Sequence, residues 1–218
     1  VRAMHFYSTV NAPRTLNLGN STFNLNMISP VGGYTWAIEY SNSFTLITAG
    51  NSHLTFTSGG LQRVKAGDGL TYDNITFSGK GVLLSNYSNF KNVVFGDYKT
   101  AFPLNNYVGK IGESPVLSNN NTFVNVTFKD QGFISGRQNL VNNTLTFMCN
   151  GNLINGSNIV NTLSQYRYSP YNGGTVANSL TLQADSLQNI TNFGLFGSIL
   201  CDHTIIKSST TSNGHEAM

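Results

Sequence analysis

One six-residue phrase returns three times in this chain: Tyr72-Asp-Asn-Ile-Thr-Phe77, Phe90-Lys-Asn-Val-Val-Phe95 and Phe123-Val-Asn-Val-Thr-Phe128. Each copy is an aromatic, any residue, Asn, a β-branched residue, any residue and Phe. Looser copies follow at Leu140-Val-Asn-Asn-Thr-Leu-Thr-Phe147 and Leu187-Gln-Asn-Ile-Thr-Asn-Phe193. The first two copies start 18 residues apart, at 72 and 90, and the later intervals are wider and uneven. That is the pattern left when one turn of a coiled β architecture recurs with loops of different length inserted.

The segments between and around the phrases read as β throughout. Ser43-Phe-Thr-Leu-Ile-Thr48, His53-Leu-Thr-Phe-Thr57, Thr144-Leu-Thr-Phe147, Ser179-Leu-Thr-Leu-Gln183 and His203-Thr-Ile-Ile-Lys207 are short and rich in Thr, Ile, Leu and Phe, and most alternate in polarity. Gly59-Gly60, Gly67-Asp-Gly69, Gly79-Lys-Gly81, Asn150-Gly-Asn152, Asn155-Gly156 and Asn172-Gly-Gly174 supply turn chemistry between them. No stretch of ten residues carries a 3.6-residue apolar period, so almost no helix is expected. The expected fold class is all-β: a right-handed parallel β-helix, in which successive turns stack about 4.8 Å apart and each Phe sits on the Phe below. An antiparallel β-sandwich is the alternative, although it has no reason to repeat Asn at one register. The predicted organisation is an N-terminal cap or extended entry at 1–42, a β-helical repeat region at 43–207 and a polar tail at 208–218.

Composition narrows the function classes. Charged residues make up 10% of the 218, twelve Lys plus Arg against nine Asp plus Glu, and the basic residues are scattered. A nucleic-acid partner would want a basic stripe with interleaved aromatics, so none is expected. The longest apolar run, Phe193 to Cys201, is about half the roughly 20 residues a membrane helix needs, so no membrane span is expected. Polarity comes instead from Ser, Thr, Gly and thirty Asn.

An enzymatic reading finds no foothold. Asp68, Asp73, Asp97, Asp130, Asp185 and Asp202 stand singly, the closest couple, Asp68 and Asp73, reading as a solvated turn, and His5, His53, His203 and His215 lack metal-ligand spacing. Asp202 and His203 are neighbours on a strand, so their side chains point to opposite faces. No catalytic residue, metal or cofactor is expected. Cys149 and Cys201 allow one disulfide, or two buried thiols. Candidate N-glycosylation sites fall at Asn20, Asn74, Asn86, Asn120, Asn125, Asn142, Asn155 and Asn189; an Asn-rich chain yields about six such triplets by chance.

The repeated phrases, low charge, excess of Asn, Gly, Ser and Thr, and near absence of cysteine resemble the passenger regions of secreted bacterial autotransporter adhesins. They are less closely similar to other pectate-lyase-like β-helices, including phage tailspikes. The resemblance spans roughly residues 43 to 207 and implies a secreted or surface-exposed rod that presents loops to a host ligand. From the residues themselves, Tyr166-Arg167-Tyr168-Ser-Pro-Tyr171-Asn-Gly-Gly174 offers rigid aromatic area with a planar cation, which suits a contact surface, or it is an ordinary crossing loop packed on the wall. Tyr98 and Tyr107 flank a second aromatic interruption. The expected function is therefore non-enzymatic adhesion at the cell surface or outside the cell, with a host glycan or surface protein as partner. Two alternatives stand beside it. One is a self-associating subunit of an extracellular filament or coat, completed by a donated strand such as Val1 to Leu18. The other is a glycosylated viral receptor-binding domain.

Overall fold

The computed structural model describes residues 2–3, 5–26, 33–58, 60–96, 108–113, 118–166, 178–184, 186–196 and 205–208. Two nine-stranded sheets dominate it. The first runs in the order β1 (Arg2–Ala3), β4 (Thr22–Leu25), β7 (His53–Phe56), β9 (Thr71–Phe77), β11 (Asn89–Phe95), β13 (Thr122–Phe128), β15 (Leu140–Phe147), β17 (Ile159–Tyr166) and β19 (Asn189–Phe196). The second runs β2 (Phe6–Ser8), β5 (Trp36–Ile38), β8 (Gln62–Lys65), β10 (Gly81–Leu84), β12 (Val108–Ile111), β14 (Gln131–Ser135), β16 (Gly151–Ile154), β18 (Ser179–Leu182) and β20 (Ile205–Ser208). A third, two-stranded sheet joins β3 (Arg14–Gly19) to β6 (Phe44–Thr48).

Every strand pairing among the described residues is parallel, and the chain visits the two large sheets alternately. The molecule is thus all-β with long parallel sheets, an arrangement compatible with a parallel β-helix and not with an antiparallel sandwich. One strand of each large sheet forms a rung. Rungs beginning at Thr71 and Thr122 take 18 residues each, and the one beginning at Leu140 takes 19.

The repeated phrase explains the stacking. Asn74, Asn92 and Asn125 share one register, and Phe77, Phe95 and Phe128 another. Phe56, Phe77, Phe95, Phe128 and Phe147 form a continuous column with ring centroids 4.8 to 5.1 Å apart and interplanar angles of 15° or less. Tyr72, Phe90 and Phe123 make a second column, with centroids 5.5 and 5.0 Å apart, and Val141, Val160 and Ile190 continue its register. Between them runs an aliphatic column of Leu54, Ile75, Val93, Val126, Leu145 and Leu163. All of its members are buried, so three parallel stripes of apolar side chains fill the space between the sheets.

Space for the Phe column comes from the facing sheet. Gly81, Gly109, Gly132 and Gly151 are in register at the start of its strands. A Cβ on Gly109 would lie 2.5 Å from Phe95 Cβ and 2.7 Å from Phe128 Cδ1. Where the column passes from Phe147 to Gln165, the glycine register passes from Gly151 to Leu180, so loss of ring volume coincides with gain of an aliphatic side chain.

Candidate functional site

Returning from the second sheet to the first, each rung turns through a tetrad: Gly67-Asp-Gly-Leu70, Ser85-Asn-Tyr-Ser88, Ser118-Asn-Asn-Asn121, Gly136-Arg-Gln-Asn139 and Asn155-Gly-Ser-Asn158. In the first four the third residue is left-handed: Gly69 (φ 73), Tyr87 (φ 56), Asn120 (φ 55) and Gln138 (φ 59). Such a turn buries backbone N–H groups that the sheet ladders do not reach, and buried donors need partners.

A ladder of buried side chains supplies them. Leu70 N–H donates to Ser88 Oγ (3.1 Å), and Ser88 N–H to Asn121 Oδ1 (3.1 Å). Asn121 donates from its N–H and Nδ2 to Asn139 Oδ1 (3.2 and 3.1 Å), and Asn139 does the same to Asn158 Oδ1 (3.2 and 3.0 Å). Asn158 closes the series on Gln188 Oε1 (3.2 and 3.3 Å). The ladder fixes the backbone of the corner and leaves the side chains one and two positions earlier on the outside.

Those outer side chains line two adjoining concavities. The first, of about 550 Å³, is lined by Arg137, Gln138, Asn155, Gly156, Ser157, Gln183 and Ser186. The second, of about 490 Å³, is lined by Asn120, Gln138, Ser157, Asn158, Ile159, Leu187 and Asn189. Gln138 and Ser157 border both, so the two form one groove crossing successive rungs. Its floor is tied down: Gly156 N–H donates to Gln183 Oε1 (2.7 Å), Gln188 Nε2 to the Gly156 carbonyl (2.7 Å), and Asn155 Nδ2 to Ser135 Oγ (2.6 Å). Gly156 sits at φ 143, and a Cβ there would approach Arg137 Cβ to 2.5 Å, so close passage of the preceding rung depends on glycine.

The groove is chemically asymmetric. Arg137 anchors its backbone N–H on Asn119 Oδ1 (3.0 Å), while its exposed guanidinium makes no hydrogen bond or ion pair with a described residue. At the other end Leu187 is 76% exposed and Ile159 49%. Amides and hydroxyls lie between. Such a combination has the chemistry to hold and orient a polar ligand.

Of the aromatic and cationic contact residues singled out in the sequence, Tyr166 is described and lies outside the groove lining. Tyr166 ends β17, half-buried, its ring 5.6 Å from Phe196 and its carbonyl accepting from Asn178 Nδ2 (2.8 Å) and Gln165 Nε2 (3.0 Å). Arg167, Tyr168, Tyr171, Tyr98, Tyr107 and Cys201 fall outside the described residues. In sequence, 97–107 falls between β11 and β12 and 167–177 between β17 and β18. Cys149 is buried, with Sγ 3.6 Å from the Lys129 carbonyl.

The glycosylation triplets divide by environment. Asn74 Nδ2 donates to the Ser52 carbonyl (3.0 Å) and Asn125 Nδ2 to Asn92 Oδ1 (2.9 Å), so a glycan on either would break an amide ladder. Asn86 Nδ2 lies 3.4 Å from Asp68 Oδ1, Asn155 is bonded to Ser135, and Asn120 is half-buried in the left-handed turn. Asn20, Asn142 and Asn189 are exposed. Asp73, read from sequence as a solvated turn residue, is instead buried, its Oδ2 accepting from Ser52 N–H (2.8 Å) and Oγ (2.6 Å).

His53 Nε2 is 2.8 Å from Thr76 Oγ1, and burial holds its pKa below the usual histidine range. Among the described residues no three His, Cys, Asp or Glu side chains converge, and no helix is long and apolar enough to cross a membrane.

No known family, characterised protein or solved structure matches this chain. Among the described residues, the corner groove joins a concave surface to a guanidinium that no described residue pairs. Sequence reading missed it because most of its residues, Arg137, Gln138 and Ser157 among them, belong to the tetrads preceding the phrase, whose first three places vary. The fourth place, Ser or Asn in four of the five tetrads with an aromatic or Val two residues on, was the available signal.

Proposed function

We propose that the chain is a right-handed parallel β-helix acting as a non-enzymatic binding module, exposed outside the cell or on its surface, and that the corner groove takes a host glycan or surface protein. One observation carries this reading. The groove presents amides, hydroxyls and a guanidinium on a backbone fixed rung to rung by side-chain ladders, so little conformational freedom is lost on binding. Saccharides need such closely spaced donors and acceptors.

Immobilised glycans probed with the intact chain, followed by calorimetric titration of the best binder, test it. Gln138→Gly removes the side chain shared by both concavities and suits the left-handed backbone. It should weaken binding about tenfold, about 1.4 kcal/mol, with the melting temperature kept or raised. Unchanged affinity in this variant and in Ser157→Ala would move the site off the groove.

A second reading, self-association as in a filament or coat subunit, is favoured by the last described rung. Phe193 and Leu195 share registers with the core residues Leu163 and Gln165, yet remain 43% and 38% exposed.

A further inference from the structure

Resting on the groove as a glycan site, we infer that its ligand is an acidic saccharide in which a uronate ring adjoins an N-acylated amino sugar, with the carboxylate at Arg137 and the acyl methyl at Leu187 and Ile159. Three observations lead there. Arg137 is the one charged side chain among the described residues of the groove, and no described residue neutralises it. A guanidinium presents a planar fork of donors that matches a carboxylate in two parallel hydrogen bonds, and neutral hydroxyls use that fork poorly.

The opposite end carries the complementary demand. Leu187 and Ile159 form an exposed apolar patch beside the amides of Asn120, Asn158 and Asn189, and an acylamino group offers both a methyl and an amide to such a surface. Asn158 and Gln138 hold their places through the ladder and the turn, so the patch is fixed relative to Arg137.

Spacing selects the arrangement of the two groups. The pairing of Leu140 with Ile159, and of Ile159 with Asn189, sets Gln138 level with Ser157 and Ser157 level with Leu187. Arg137 and Leu187 are therefore two rungs apart, about 10 Å at the strand spacing of a sheet. That span favours groups on neighbouring rings over groups on one ring. Gln138 and Ser157, between the two ends, face the glycosidic linkage.

The test titrates four ligands into the full chain: a uronate and N-acylhexosamine tetrasaccharide, its carboxyl-reduced form, its de-N-acylated form, and a monosaccharide bearing both carboxylate and acylamino groups. The acidic N-acylated tetrasaccharide should bind at least tenfold tighter than the reduced one, and the advantage should shrink with added salt as the charge pair is screened. Arg137→Ala should erase the preference for the acid, and Leu187→Ser the preference for the acyl group, while melting temperatures stay unchanged because both side chains are exposed. Saturation-transfer signals should be strongest at the acyl methyl.

Equal binding of acidic and reduced forms, with Arg137→Ala silent, would overturn the acidic assignment and leave the glycan reading standing. Tightest binding of the monosaccharide would overturn the two-ring arrangement. Absence of binding by any saccharide at millimolar concentration would remove the glycan reading and this inference together.

Discussion

Gly81 shows how a single missing side chain sets the spacing of the interior. A Cβ at this position would fall 2.5 Å from Phe77 Cγ and 2.8 Å from Phe95 Cδ1, so two rings of the Phe column occupy the volume an alanine would need. Gly81→Ala should therefore lower stability by about 1–3 kcal/mol, as overpacking does, measured as a shift in the urea midpoint. The same change made on top of Phe77→Ala should cost at least 1 kcal/mol less, because the emptied volume accepts the methyl group. Additive effects in that cycle would show that the glycine acts through its backbone instead. In the sequence Gly79-Lys-Gly81 reads as a turn, which is locally right for the tight connection out of Phe77. What the sequence alone hides is that Gly81 faces a ring from its own rung and a ring from the next, a relation visible only once the register is known. Asp73 was misread for the same reason, since its partner Ser52 sits on the preceding rung.

At the scale of the element, the rung from Thr122 to Asn139 is a closed unit of 18 residues: one strand of each sheet and one tetrad. Its neighbours on both sides present matching columns, Phe95 and Phe147 at the Phe register, Gly109 and Gly151 at the glycine register, Asn121 and Asn158 in the buried ladder. Deleting residues 122–139 joins Asn121 to Leu140 and restacks Phe95 on Phe147, so a shorter folded protein is expected. Its circular dichroism per residue should match the parent's, and its melting temperature should be lower because one interface is lost. Aggregation or a random-coil spectrum would show that the rungs are not interchangeable. Much of this element was legible: the three strict phrases fall into register without a slip. The looser copies were harder. In the fourth, Val141 takes the aromatic place and an extra residue shifts the register, so Asn143 donates to Asn125 Oδ1 (2.8 Å) while Thr144 is the backbone partner. In the last, Asn192 and not Asn189 falls on the Asn register, because apolar spacing decides the pairing and a triplet of letters does not. The buried ladder escaped notice because Ser, Asn and Gln all serve it, and thirty Asn supply many coincidences.

For the whole molecule, the outermost described rungs differ from those in the middle. Central rungs have neighbours on both sides, whereas β19 and β20 have one described neighbour each. Amide exchange should be slowest in β13 and quicken toward β19 and β20, since local opening there breaks one ladder and exposes side chains already half in water. If last rungs associate between copies, sedimentation should show concentration-dependent growth that Phe193→Asp abolishes, together with slowed exchange in β19; a single concentration-independent species would remove the self-association reading. The corner tetrads carry a different consequence. Tyr87, Asn120 and Gln138 turn alike although a phenol, a short amide and a long amide stand there, because the backbone asks only for a left-handed residue and the ladder behind it does the holding. Inheritance can therefore rewrite the outer face of each corner letter by letter while the interior text stays fixed, and relatives of this chain should diverge in the chemistry of their corners long before they diverge in shape.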